Sequence, residues 1–272
     1  MITRQWRLIN DLPAIGARNM AVDEAIMRAV AAGRQPPTLR LYGWHPPCLS
    51  LGYGQRAGDV DWERLAARQW DCVRRTTGGR AILHTDELTY SLSLPLTHPL
   101  AQGEVVESYR EISRALLNAL ERLGAQPRAD RRAQGAAKTF DPVCFETPSD
   151  YEITVGGRKL VGSAQARRGG GLLQHGTIPL TGDIARICDV LRYPDDEARE
   201  AAKQHVRGRA LTLEDALGQA ISWETAALAV TDAFRDTFGL ELSRDTLSGE
   251  EMTEVARLSA DVYGAESWTK RR

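Results

Sequence analysis

No stretch of this chain approaches the roughly 20 consecutive apolar residues that a membrane-spanning helix needs, and its start lacks a basic segment followed by an apolar core. A cytoplasmic protein with no membrane partner is expected. Cysteine is scarce and dispersed: Cys48, Cys72, Cys144 and Cys188 are the four in 272 residues, without a CxxC pair. That spacing argues against a zinc site or a disulfide-stapled fold and suits free thiols in a reducing compartment. Net charge is almost absent. With 35 basic against 36 acidic side chains the formal charge is -1, which removes any global attraction to nucleic acid. Internal repeats, low-complexity blocks and long Pro/Gly/Ser linkers are missing too, so one domain over residues 1–272 is expected, with a short helical C-terminal segment from about 222.

What is present reads as an ordinary globular chain, 42% hydrophobic and 26% charged. Met20, Ile26, Met27 and Val30 recur at helical spacing within residues 17–32, ahead of the stop residue Gly33. Short β-type runs follow at 38–42, 49–51, 71–75, 81–83 and 88–94, separated by Gly, Pro and Asp. Tyr109, Ile112, Leu116, Leu117 and Leu120 form the stripe of a second helix over 105–123. Residues 129–139 are polar, small and basic and read as a surface loop. Runs at 151–155, 159–166 and 172–180 read as three neighbouring strands, the first pair joined at Gly156-Gly157. Beyond Gly182 the pattern is mainly helical. Strands concentrated before helices, without regular βαβ alternation, predict an α/β (α+β) fold: a mixed sheet flanked by helices, not a doubly wound nucleotide fold.

Three stretches offer chemistry. In Arg74-Arg75-Thr76-Thr77-Gly78-Gly79-Arg80, running on to His84, two glycines permit close approach of backbone N–H groups to a ligand, and the arginines offer charge to a phosphate or carboxylate. A plain glycine turn between strands is the alternative. The segment is no Walker A loop, because the lysine and hydroxyl residue required after the second glycine are missing. In Pro142-Val143-Cys144-Phe145-Glu146-Thr147-Pro148-Ser149-Asp150, a thiol beside a polar loop is reachable for nucleophilic work, whereas the other three cysteines read as small buried hydrophobes. Third, Lys159 opens an apolar strand containing Gly162-Ser163-Ala164, a setting that desolvates an amine and leaves room against the backbone. His175 and Gly176 follow; either His84 or His175 is a ligand contact or a satisfied core histidine.

These motifs, in this order, resemble the biotin/lipoate protein ligase and octanoyltransferase superfamily. The likeness runs through Asn19 and Asp23-Glu24, the segment around Trp44 and Gly52-Tyr53-Gly54-Gln55, the Arg74 to His84 loop, Pro148-Ser149-Asp150, Lys159 to Gln165, and Gln174-His175-Gly176. Within the superfamily it is nearest to LipM-type octanoyltransferases. Two departures from the ATP-dependent ligases point to transfer: Arg80 stands where those enzymes carry a third small residue, and after about residue 240 only a short helical segment remains in place of an accessory domain.

The resemblance implies an acyl-enzyme on Cys144 with Lys159 as proton-transfer partner, and an acyl site lined by Arg74, Arg75, Gly78, Gly79, His84, Gly162, Ser163, Ala164, His175 and Gly176. It implies octanoyl-acyl carrier protein as donor and a lipoyl domain, such as glycine cleavage H protein, as acceptor. No cofactor or metal is expected for transfer; Mg and ATP belong to the alternative, a lipoate-protein ligase. Octanoyl exchange between lipoyl domains is a further alternative. Arg128, Arg131, Arg132, Arg167 and Arg168 are candidates for docking acidic carriers.

Overall fold

The computed structural model describes residues 4–131 and 151–272. In chain order the first half holds β1 (Gln5–Asn10), α1 (Gly16–Ala31), β2 (Thr38–Tyr42), β3 (Cys48–Leu51), α2 (Trp62–Ala67), β4 (Asp71–Arg74), β5 (Ile82–His84), β6 (Glu87–Pro95), α3 (Val105–Arg122) and β7 (Pro127–Arg131). The second half holds β8 (Tyr151–Val155), β9 (Arg158–Arg168), β10 (Gly171–Pro179), α4 (Asp196–Arg209), α5 (Leu213–Leu217), α6 (Trp223–Phe238), β11 (Glu241–Arg244), α7 (Gly249–Leu258) and α8 (Glu266–Thr269).

Eight strands form the main sheet in the order β11-β1-β2-β6-β10-β9-β8-β7, parallel at β11-β1-β2 and antiparallel elsewhere. A second sheet, β4-β3-β5, is also mixed. The expected mixed sheet flanked by helices is what the chain forms. One face of the main sheet buries Leu39, Leu41, Leu88, Tyr90 and Leu92 under α3 and α6. The α3 stripe is Ile112, Ala115, Leu116, Ala119 and Leu120, spaced to present one apolar side to the sheet. Helix α1 covers the opposite face and is itself covered by α7 and the following turn Ser259–Tyr263, which explains why 12 of its 16 residues are buried. The small sheet packs with α4 and Ile184–Val190 around Leu49, Leu51, Val190 and Leu191.

Three strands escape the sequence pattern. β7 and β11 are the two edges of the main sheet; Pro-Arg-Ala-Asp-Arg and Glu-Leu-Ser-Arg carry little apolar surface because an edge strand is held chiefly by backbone pairing. Residues 129–131, read as the start of a loop, belong to β7; the rest of that segment lies outside the described residues. β1 is disguised by Arg7, which is 2% exposed and makes a bidentate pair with Glu251 of α7, one arm at 2.8 Å. Among the described residues no helix is long and apolar enough to cross a membrane.

The Arg7–Glu251 pair ties the first strand to the last long helix and sets a pH response. Burial opposes ionisation of Glu251, but hydrogen bonds donated by Arg7 and by the Ser248 amide outweigh it and hold the carboxyl below the usual carboxylate range. A depressed carboxyl stabilises the fold above its unfolded value, and that contribution is lost as pH falls through the folded one. Glu251→Gln, which leaves Arg7 buried without its counter-charge, is expected to cost about 3 kcal/mol at neutral pH. Urea denaturation at stepped pH should show the wild-type advantage shrinking as the medium is acidified below the carboxylate range; a gap that does not change with pH contradicts this reading.

Candidate functional site

β6 alternates strictly. Leu88, Tyr90, Leu92 and Leu94 face the α3/α6 core, which sends Glu87, Thr89, Ser91 and Ser93 to the other face, where α1 and the small sheet bury them all. A buried polar strand face is costly unless every group finds a partner, and here the partners build a site. Between the main sheet, α1 and the small sheet lies a narrow cavity of about 30 Å³. Its floor is a cross-strand row, Gly162 of β9, Thr177 of β10, Thr89 of β6 and Tyr42 of β2, each directly opposite the next. Met20 of α1 and Ile82 of β5 supply apolar walls.

One wall is a hydrogen-bonded chain. Asp23 of α1 accepts from Arg40 Nη1 at 2.8 Å, Tyr42 hydroxyl at 2.9 Å and Ser91 hydroxyl at 2.7 Å. Burial works against the Asp23 carboxylate, yet the His175 hydrogen bond and the Arg40 charge outweigh it and hold its carboxyl below the usual range. Burial also pushes the His175 imidazole below its ordinary value, against the pull of Asp23. The neutral ring then donates through Nδ1–H to Asp23 Oδ2 at 3.3 Å and accepts at Nε2 from the Thr77 hydroxyl at 2.7 Å. His175 thereby joins α1 to the glycine loop. On the opposite wall His84 bonds Glu87 at 2.7 Å and Ser50 at 2.8 Å and stacks on Trp44 at 4.0 Å between centroids. The Trp44 indole donates to Thr89 at 2.8 Å.

The glycine loop is pinned from inside. Arg75 donates to the carbonyls of Ser50, Gly78 and Arg80, at 2.9, 3.1 and 2.6 Å. Arg74 reaches the carbonyls of Gly52, Gln55 and Thr269 at 2.8, 2.6 and 2.8 Å. Gly52 must be glycine, since a Cβ there would lie 1.9 Å from the Gly79 carbonyl oxygen. Gly79 has φ +94, a conformation open to glycine.

A slip in β9 decides where Lys159 points. Ile153 pairs with Val161, but Thr154 pairs with Lys159, so β9 carries one extra residue at the bulge. Leu160 and Val161 both enter the α3/α6 core. Beyond the slip, Lys159 shares the face of Thr154, opposite to Val161, and therefore the face of Gly162. Its side chain is 5% exposed, and its ammonium pairs with Glu152 of β8 at 3.0 Å. The Lys159 backbone thus lies three positions along β9 from Gly162 of the cavity floor, about 10 Å of strand.

A family model for the lipoyl protein ligase A/B catalytic domain matches residues 16–235. The octanoyltransferase LipM of Kyrpidia tusciae is 44% identical, the alignment covering 98% of this chain and 99% of its own; LipM of Symbiobacterium thermophilum is 42% identical over 98% of each chain. The chain belongs to the LipM octanoyltransferase family. Among solved structures it is similar to an archaeal bipartite lipoate protein ligase, studied with its E2 lipoyl domain, from Thermoplasma acidophilum, with a TM-score of 0.81, 26% identity, and 98% and 96% of the two chains covered.

In this LipM-family chain, the cavity brings together Arg75, Gly79, His84, Gly162, Ser163, Ala164, His175 and Gly176 of the residues expected to bind substrate. Arg74 and Gly78 are not among its lining; the Arg74 guanidinium is spent on the backbone carbonyls behind the loop. Cys144 and Pro148-Ser149-Asp150 lie outside the described residues, as does Arg132. Among the described residues no group of three or more His, Cys, Asp and Glu could hold a metal ion. Sequence reasoning missed Glu152 as the partner of Lys159, and Ser50, Glu87, Thr89 and Thr177 around the cavity. The polar face of β6 was the available signal: Glu87, Thr89, Ser91 and Ser93 alternate with leucines and a tyrosine in a strand that lies mid-sheet.

Gly176 tests the packing on the reverse side of this floor, where it lies opposite Tyr90 and Ser163. A Cβ there would lie 2.4 Å from Ser163 Oγ, 2.6 Å from the Gly162 carbonyl oxygen and 2.7 Å from Tyr90 Cε1. Gly176→Ala is expected to destabilise by about 1–3 kcal/mol in chemical denaturation through overpacking. Gly208→Ala in α4, where nothing lies within 4 Å of the new methyl, should instead gain roughly 0.5–1 kcal/mol from helix propensity. Equal effects of the two substitutions contradict the packing described.

Proposed function

We propose that this LipM-family acyltransferase, acting in lipoate biosynthesis, takes octanoyl from acyl carrier protein and delivers it to a lysine of a lipoyl domain, glycine cleavage H protein being the acceptor, through a thioester on Cys144. The observation that supports it is the conjunction of a narrow cavity with apolar walls and a buried lysine turned by the β9 bulge to the cavity's face.

In the first half-reaction the Cys144 thiolate attacks the carbonyl carbon of the octanoyl thioester. The tetrahedral oxyanion collapses, the bond to the phosphopantetheine sulfur breaks, and that sulfur takes a proton from the Lys159 ammonium. In the second half, the neutral amine of the acceptor lysine attacks the new thioester, Lys159 takes a proton from the attacking nitrogen, and Cys144 leaves as thiolate. Lys159 and Cys144 end as they began. Dividing one transfer into two lowers each barrier. Exchange between thioesters is nearly thermoneutral and amide formation runs downhill, so the cycle requires no nucleotide and no metal.

Glu152 acts as a positioning residue: its carboxylate fixes the Lys159 amine between the two half-reactions. A nearby ammonium also favours thiolate over thiol at Cys144. Arg128, Arg167 and Arg168 stand on β7 and β9 as candidates to meet acidic carriers, although Arg168 is already paired with Glu24 and Arg167 donates to the Gly103 carbonyl at 2.7 Å.

Incubation with octanoyl-acyl carrier protein, without nucleotide, should add one octanoyl mass to the wild-type chain and none to Cys144→Ser. Adding a lipoyl domain should then discharge the acyl-enzyme. An unmodified cysteine together with strict ATP dependence of lipoyl-domain acylation would refute the transfer reading in favour of a ligase.

A further inference from the structure

Thr177 sits in the middle of the cavity floor, directly opposite Gly162 on one side and Thr89 on the other. It is 1% exposed, and its hydroxyl oxygen is buried with no hydrogen-bond partner among the described residues. Its neighbours in the row are differently placed. The Thr89 hydroxyl accepts from Trp44 and donates to Glu87, the Tyr42 hydroxyl donates to Asp23, and Gly162 has no side chain. A buried hydroxyl without a partner is destabilising, so Thr177 costs stability unless something entering the cavity engages it.

We infer that the Thr177 hydroxyl donates a hydrogen bond to the carbonyl oxygen of the acyl group and strengthens that bond as the oxygen becomes an oxyanion. This rests on the acyl-transfer reading. The reason lies in the ligand's chemistry: an octanoyl thioester carries one oxygen, the carbonyl, and a tail of methylenes that offers nothing to a hydroxyl. The floor position agrees. Thr177 is about 5 Å, one strand spacing, from Gly162 of β9, the strand that carries Lys159 on the same face. A carbonyl over Gly162 and Thr177 leaves the tail to run across β10 and β6 toward Trp44, along the row Thr177, Thr89, Tyr42. Thr177 transfers no proton; it acts as a fixed dipole where negative charge develops.

The test uses the full chain and octanoyl-acyl carrier protein. Thr177→Val is nearly isosteric and deletes only the hydroxyl, so it should fold and be as stable as the wild type or more so. It should form the acyl-enzyme about 100- to 1,000-fold more slowly at saturating donor, with little change in KM, while Thr177→Ser recovers most of the rate. With a ¹³C-labelled carbonyl, the infrared stretch of the acyl-enzyme should move to higher frequency in Thr177→Val, as loss of a hydrogen bond requires. Wild-type acylation accompanied by a Thr177→Val rate and carbonyl stretch like those of the wild type overturns this assignment alone. A wild-type chain that forms no acyl-enzyme overturns the transfer reading and this assignment with it.

Discussion

One extra residue in β9 decides which face of the main sheet Lys159 occupies. A strand alternates faces with a period of two, so without the slip at Leu160 the side chain of Lys159 would lie with Val161 and Ser163, on the face packed by α3 and α6. There an ammonium would meet a largely apolar core without a carboxylate partner among its clustered residues. The bulge turns it instead to the face of Thr154 and Gly162, where Glu152 waits on the neighbouring strand. Bulges recurrently re-aim side chains, and this one lets a single strand give Leu160 and Val161 to the core and Lys159 to the opposite face.

The cavity in turn is bounded by a layer of hydrogen-bonded buried polar groups. Asp23 alone engages Arg40, Tyr42, Ser91 and His175, drawing α1, β2, β6 and β10 to a common point. His175 passes the connection to Thr77, and Arg75 and Arg74 pin the glycine loop by its own carbonyls. Satisfied networks in a low-dielectric interior rigidify their surroundings. On the acyl-transfer reading, that rigidity holds the walls at a fixed spacing while the acyl tail contributes only non-directional contacts. Within the row Gly162, Thr177, Thr89 and Tyr42, Thr177 carries the one hydroxyl that finds no partner among the described residues.

Much of the fold was legible because its signals are local. The Gly156-Gly157 turn and the runs on either side announced the β8-β9-β10 meander, and the 3.6-residue stripe of α3 was plain. β1 stayed hidden because Arg7 breaks its apolar pattern and finds its counter-charge 244 positions away in Glu251. The site was legible as a set of motifs and much less so as geometry. Arg74 and Arg75 look equivalent in sequence, yet one backs the glycine loop and the other lines the cavity. The facing of Lys159 depends on a register slip that no residue in the segment advertises, and Thr177 reads as an ordinary strand threonine until its neighbours are seen to be satisfied. Pairings across strands decide such questions, and a single sequence does not print them.

The central claim of the proposed function is that the Lys159 ammonium favours the Cys144 thiolate. The pH dependence of Cys144 alkylation by iodoacetamide tests this most directly, comparing wild type with Lys159→Met and reading the modified residue by peptide mass. The account predicts that the wild-type rate rises at lower pH than that of Lys159→Met, whose profile should move toward that of an ordinary cysteine. Superimposable profiles would contradict it.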